Sequence, residues 1–332
     1  MDRRRLQLMG RSSLVMSLPK QWVVRSGLKK GDVVEIGYAA DGGLVVYPAE
    51  AEPLLHTSSA KLEYTAELAA RYVSDWIVSA YLMGANSISL RADSGFDQET
   101  RDTVYSVLRT LMGLEVVEES DNHLVAQFLV DSSLVQPKRV MKRLGDLAGS
   151  MLKDTLRQLK SSRLSPEVPP MNQRDVEVNR LYFLLVRLVR AALLNPGLAS
   201  EMEVSVVDCL DYRVAAGSIE NTADSCVRLA SLGRRNPSRS RQLASFLESI
   251  EQRLVYVQEN STKALINRDY ELSKRVLEEA QRVLEAVSLC VSRRHTPRDV
   301  LLASDLVRRI VDYQKDVADL VSPSYPPASL AE

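Results

Sequence analysis

The chain of 332 residues is long enough for two or three domains, and 45% apolar residues allow it to bury a core. Lys+Arg and Asp+Glu balance at 43 each, so net charge alone names no partner. No apolar run reaches membrane-spanning length, and no apolar segment follows the arginine-rich start, so neither a span nor a signal peptide is expected. Cys209, Cys226 and Cys290 are odd in number and widely spaced, and they read as reduced core thiols of a cytoplasmic protein.

Charge is not evenly spread. Residues 1–30 carry eight basic side chains (Arg3, Arg4, Arg5, Arg11, Lys20, Arg25, Lys29, Lys30) against one acid, Asp2. Such a local field attracts polyanions. Residues 3–48 show period-two patterning: Leu6 and Leu8; Leu14, Met16 and Leu18; Val34, Ile36 and Tyr38; Leu44 and Val46. This predicts short strands. Asp41-Gly42-Gly43 predicts a hairpin turn, and Pro19 opens a helical turn over Lys20 to Ser26 that Gly27 closes. Four short strands in under fifty residues bury little alone, so a dimer through this segment is expected.

Residues 60–83 read as a helix, followed by a strand at Ser87–Arg91, a helix at Gln98–Met112 and strands at Leu114–Glu118 and His123–Val130. From Gln136 onward the pattern predicts helices at about 136–160, 173–194, 203–232, 239–266, 269–293 and 298–321. Pro166, Pro169 and Pro170, Asn195-Pro196-Gly197, Gly233 to Pro237, and Pro297 mark the breaks. Six helices in two groups of three predict a repeated three-helix bundle. The expected division is 1–50, 58–132, 134–233, 238–321 and a disordered tail over 322–332.

Two sets of residues could carry chemistry. Arginines and lysines of the basic arm neutralise phosphates and release counterions. Carboxylates four apart on a helix share one face and can share a cation; Asp175, Glu220 with Asp224, and Asp312 with Asp316 stand out. Asp312 and Asp316 lie opposite the Leu306–Ile310–Val317 stripe and are expected to be solvated. Arg234, Arg235, Arg239 and Arg241 read as a solvated connection or a second anion contact. Among motifs, no Glu-x-x-His, phosphate-binding loop or dinucleotide fingerprint occurs, and no nucleophile motif is evident; the chain does not read as an enzyme.

The string Ser17-Leu18-Pro19-Lys20-x-Trp22 followed by Gly27-Leu28-x-x-Gly31-Asp32, with Arg3-Arg4-Arg5-Leu6-Gln7-Leu8 and Gly10-Arg11-Ser12-Ser13 before it, closely resembles the AbrB/SpoVT swapped-hairpin family over residues 2–48. That resemblance implies an intertwined homodimer whose basic face binds DNA, with Arg3, Arg4, Arg5, Arg11 and Lys20 as the contacts. The segments Arg174–Arg187, Ser218–Asp224 and Leu306–Ala318 are similar to signatures of the PhoU phosphate-uptake regulators, and the resemblance spans roughly 134–321. It implies two three-helix bundles, with divalent or ferric ions at Asp175, Glu220, Asp224, Asp312 and Asp316. Asn179 stands where the first signature has a second acid, Ser225 where a histidine often follows, and Arg282 four residues after Glu278.

The fold class expected is therefore multidomain: an N-terminal all-β swapped-hairpin (AbrB-like) dimer module, a small α/β module, and an all-α PhoU-like pair of three-helix bundles. The function implied is a DNA-binding regulator of phosphate uptake and homeostasis. The alternative is an adaptor that docks on a phosphate transporter or sensor kinase and uses the β module only to dimerise.

Overall fold

The computed structural model describes residues 3–10, 12–38, 43–48, 59–64, 70–160, 171–235 and 241–321. Arg11, the Asp41-Gly42 turn, the prolines at 166, 169 and 170, Arg239 and the expected tail lie outside them.

Strands β1 (Gln7–Met9) and β2 (Ser13–Val15) form an antiparallel hairpin in which Leu8 faces Leu14. Helix α1 (Lys20–Arg25) follows Pro19 and ends where Gly27, at φ +67°, turns the chain. Strands β3 (Val34–Tyr38) and β4 (Leu44–Pro48) form a second hairpin, with Ile36 paired to Val46. The hairpins belong to separate two-stranded sheets. Among the described residues of 3–48 no side chain is buried. An isolated two-stranded hairpin is marginal in water, so this segment has no core of its own to stand on.

The next unit is a four-stranded sheet in the order β5-β6-β8-β7, built from β5 (Ser59–Tyr64), β6 (Ser87–Ala92), β7 (Leu114–Glu119) and β8 (His123–Phe128). Helix α2 (Ala70–Leu82) makes the crossover between the parallel pair β5 and β6. Helix α3 (Gln98–Thr110) starts at Asp97, whose carboxylate accepts the Thr100 N–H at 2.7 Å. Val73, Ile77, Tyr81, Ile88, Leu90 and Val104 fill the space between helices and sheet. Gly113, at φ +80°, is required twice over, because a Cβ there would sit 2.6 Å from Val130 Cγ2.

The strand β5 corrects the sequence reading, which made 60–83 one helix. Ala60, Leu62 and Tyr64 alternate with Lys61 and Glu63, but residues of this kind also favour helices. The deciding partner is β6, more than twenty positions away, which pairs with β5 from Ser59↔Ser87 to Tyr64↔Ala92.

The helical body comprises α4 (Pro137–Lys160), α5 (Met171–Leu194), the short α6 (Pro196–Glu201), α7 (Val206–Arg235), α8 (Arg241–Asn267), α9 (Tyr270–Val291) and α10 (Arg298–Asp319). Helices α4, α5 and α7 pack as one group of three, and α8, α9 and α10 as another. Contacts of α4 on α8 and α7 on α10 merge the groups over one continuous apolar core. Caps fix the ends: Asn195 accepts from Leu198 N at 3.1 Å, and Asp269 from Leu272 N at 2.9 Å. Ser205 and Asp208 exchange hydrogen bonds across the start of α7. Helix α6 is an addition to the expected six. Asn195-Pro196-Gly197, read only as a break, caps and opens it.

A buried polar seam crosses this core. Gln314 of α10 is fully buried; its amide donates to Thr222 Oγ1 of α7 at 2.7 Å and accepts from Ser261 Oγ of α8 at 2.5 Å. Three helices from both bundles are thereby held in one register, because an unpaired amide there costs about 1–3 kcal/mol.

Candidate functional site

Arg3, Arg4 and Arg5 are exposed immediately before β1, and Lys20 is exposed at the start of α1. Arg11, the fifth expected contact, lies outside the described residues. The same module exposes its apolar side chains: Leu8 is 67% and Leu14 63% exposed, and Leu6, Met9, Met16 and Ile36 are also exposed. Leu8 and Leu14 are cross-strand partners, so they form a contiguous apolar face beside the arginines.

The acidic residues fall into two separate groups. Asp175 of α5 meets Asp224 of α7, and burial together with the Asp224 charge raises the Asp175 carboxyl above its ordinary range. Glu220, one turn before Asp224, is also raised, first by burial and then by Asp224 and Asp175. Packing of α5 on α7 brings these three together. Arg228 reaches Asp224 at 3.4 Å across a largely exposed pair. Asp312 and Asp316 are exposed on α10, as their place opposite the apolar stripe predicted. Burial raises Asp316 first, then its neighbours Asp319 and Asp312. The structure does not couple this second group to the first.

The repulsion within the first group suits a positive charge. Its geometry is less complete: among the described residues, no three His, Cys, Asp or Glu side chains form a group that could hold a metal ion. The departures noted in the sequence have structural counterparts. Ser225 is buried and donates to the Asn221 carbonyl at 2.8 Å, away from any ligand role. Glu279 is held by Arg253 and Arg282, so an ion pair occupies that part of the second repeat.

One residue of consequence was missed by the sequence reading. Arg187 of α5 is 3% exposed and crosses from the helical body into the α/β unit. It donates to the carbonyls of Tyr81 at 2.8 Å, Ala85 at 2.9 Å and Gly84 at 3.3 Å, and to Asn86 Oδ1 at 2.9 Å. Its guanidinium lies 3.8 Å from the Phe128 ring centre. Arg190, one turn on, donates to the Leu82 carbonyl. Two cations of α5 thus meet the C-terminal, electronegative end of α2. Burial pushes the Arg187 guanidinium down to about 10, which still leaves it charged at neutral pH. The available signal was a lone arginine inside the apolar run Leu184-Leu185-Val186-Arg187-Leu188-Val189.

The cysteines are all free. Cys209 and Cys226 are buried, and burial raises their thiols to about 11 and about 12, so both are inert core groups. Cys290 is only half-buried.

The family model for the antidote-toxin recognition MazE, bacterial antitoxin, matches residues 7–54. The N-terminal module is a MazE/AbrB-like domain. The solved structure of PhoU from Pseudomonas aeruginosa is similar to this chain with a TM-score of 0.45 at 15% identity, over 56% of this chain and 93% of that one. No curated protein matches the chain. Among the described residues, no helix is long and apolar enough to cross a membrane.

Proposed function

We propose that the protein is a homodimeric DNA-binding regulator of phosphate uptake and intracellular phosphate homeostasis. The observation that carries the DNA-binding part is the pairing, in one MazE/AbrB-like module, of an exposed arginine arm with an exposed apolar face. Arg3, Arg4, Arg5, Arg11 and Lys20 would contact phosphates and base edges. Leu8, Leu14 and their neighbours would be covered by a second copy. Doubling the module doubles the number of phosphate contacts, and affinity rises steeply with that number.

The phosphate part rests on the likeness of the segments at 174–187, 218–224 and 306–318 to PhoU signatures. In this reading the helical body senses phosphate status, and a cation between Asp175 and the Glu220–Asp224 pair would relieve their mutual repulsion. The Asp312–Asp316 group would offer a second, separate place. Coupling to the DNA-binding arm requires two states with different DNA affinity. Arg187 ties the α/β unit to the bundle and would transmit a shift of α5 to α2.

Chromatin mapping of the full chain in phosphate-replete and phosphate-starved cells tests the whole reading. The expected result is occupancy at discrete sites that changes with phosphate. Occupancy indifferent to phosphate would remove the sensing part, and absence from DNA would leave the module as a dimerisation device for an adaptor.

A further inference from the structure

A cavity of about 520 Å³ opens at one end of the second bundle, between the start of α8, the end of α9 and the turn that leads into α10. Its rim carries Arg293, Arg294 and His295, all exposed. Among the described residues, none of the three forms an ion pair and no carboxylate lines the cavity. His295 sits at φ +67°, a left-handed conformation that is uncommon for a non-glycine residue and that sets the direction of the turn.

The remaining lining has two characters. Ser249 and Thr296 spend their hydroxyl protons on the carbonyls of Phe246 and of Cys290 and Arg293. Gln242 and Ser245 form no hydrogen bond with a described residue and leave donors at the mouth. The floor is apolar, formed by Phe246, Ala286 and Val300, and Leu289, 69% exposed, stands at the mouth near Cys290.

Unpaired guanidinium groups bind phosphate oxygens in a fork geometry, and an apolar floor takes a ring. We propose that this cavity binds a nucleotide-sized phosphate ester, with Arg293 and Arg294 on the phosphates and the ring against Leu289 and the apolar floor. The site lies in the second bundle and owes nothing to the N-terminal arm.

Cys290 supplies a local reporter, because it lines the cavity and the other two cysteines are buried. Alkylation of the full-length protein is followed residue by residue with and without ADP, together with calorimetric titration of ADP. The expected result is that ADP slows modification of Cys290 by about fivefold and that Arg293→Ala/Arg294→Ala weakens ADP binding about tenfold or more. These side chains are exposed, so the variant should fold; its unliganded melting temperature checks that. An unchanged Cys290 rate at millimolar ADP overturns the proposal, as does equal ADP binding by the variant. Protection by inorganic phosphate equal to that by ADP overturns the role of the apolar floor. Protection by a single-stranded oligonucleotide without any by ADP makes the patch a nucleic-acid surface instead.

Discussion

Arg187 donates to the Tyr81 carbonyl at 2.8 Å across the boundary between the helical body and the α/β unit, and among the described residues no acidic side chain pairs with it. The charge is compensated by carbonyls at the end of α2 and by the face of Phe128. Removing the guanidinium leaves several inward carbonyls unpaired. Arg187→Ala is expected to lose about 2–4 kcal/mol in urea unfolding, and Arg187→Lys, with fewer donors and no planar fork, roughly half of that. Hydrogen exchange should quicken first at Gly84–Asn86. A loss below about 0.5 kcal/mol would show that the contact carries little.

The close approach of α4 and α8 gives a sharper contrast. A Cβ at Gly145 would lie 2.7 Å from Thr262 Cγ2 and 2.8 Å from its Oγ1, whereas at Gly149 the nearest atom is Gln258 Cγ at 3.7 Å. Thr262 is β-branched and stiff, so it cannot easily swing away. Gly145→Ala should therefore destabilise by about 1–3 kcal/mol, while Gly149→Ala should stabilise by up to about 1 kcal/mol through helix propensity. Adding Thr262→Ala to Gly145→Ala should recover most of the loss. Equal effects at the two glycines would contradict this packing.

Asp175 and Glu220 give a pH dependence of known direction. Their carboxyls are raised in the folded protein, so the folded state holds protons more tightly than the unfolded chain. Stability falls as pH rises from the ordinary carboxyl value through the raised one. Asp175→Asn should thus gain about 0.5 kcal/mol at pH 7, a modest figure because these groups are only half-buried. The gain should vanish near about pH 3.5, where the carboxyls are protonated in both states. Millimolar Mn²⁺ should raise the melting temperature of the wild type more than that of Asp175→Asn. Equal shifts would speak against a cation at this cluster.

The N-terminal face predicts the oligomeric state. Leu14 is exposed opposite Leu8, and covering a leucine contributes about 2 kcal/mol per copy. Leu14→Asp should convert the dimer to monomer in sedimentation velocity and abolish DNA binding with it. A wild type that sediments as a monomer at all concentrations would contradict the reading.

The helices of the body were legible because each carries its own stripe and its own Pro, Gly or Asn punctuation. Pro297 before α10 and Asp269 before α9 are local signals, and the boundaries follow them within a few residues. Strand β5 was not legible, because its identity depends on β6. The carboxylate spacing Glu220–Asp224 could be read directly, but the approach of Asp175 required α5 to pack on α7. Arg187 was visible as a charge in an apolar run; what it would touch, a helix end a hundred positions earlier, was not.

DNA binding by the N-terminal arginines is read out by fluorescence anisotropy of a labelled duplex titrated against salt. The expected result is binding at low salt that weakens steeply as salt rises, with a slope set by the phosphates neutralised. Replacing Arg3, Arg4, Arg5 and Arg11 by Ala should flatten that slope and weaken binding by about 100-fold or more. Binding that keeps its affinity and slope after those four substitutions, in a protein that still dimerises, would contradict it.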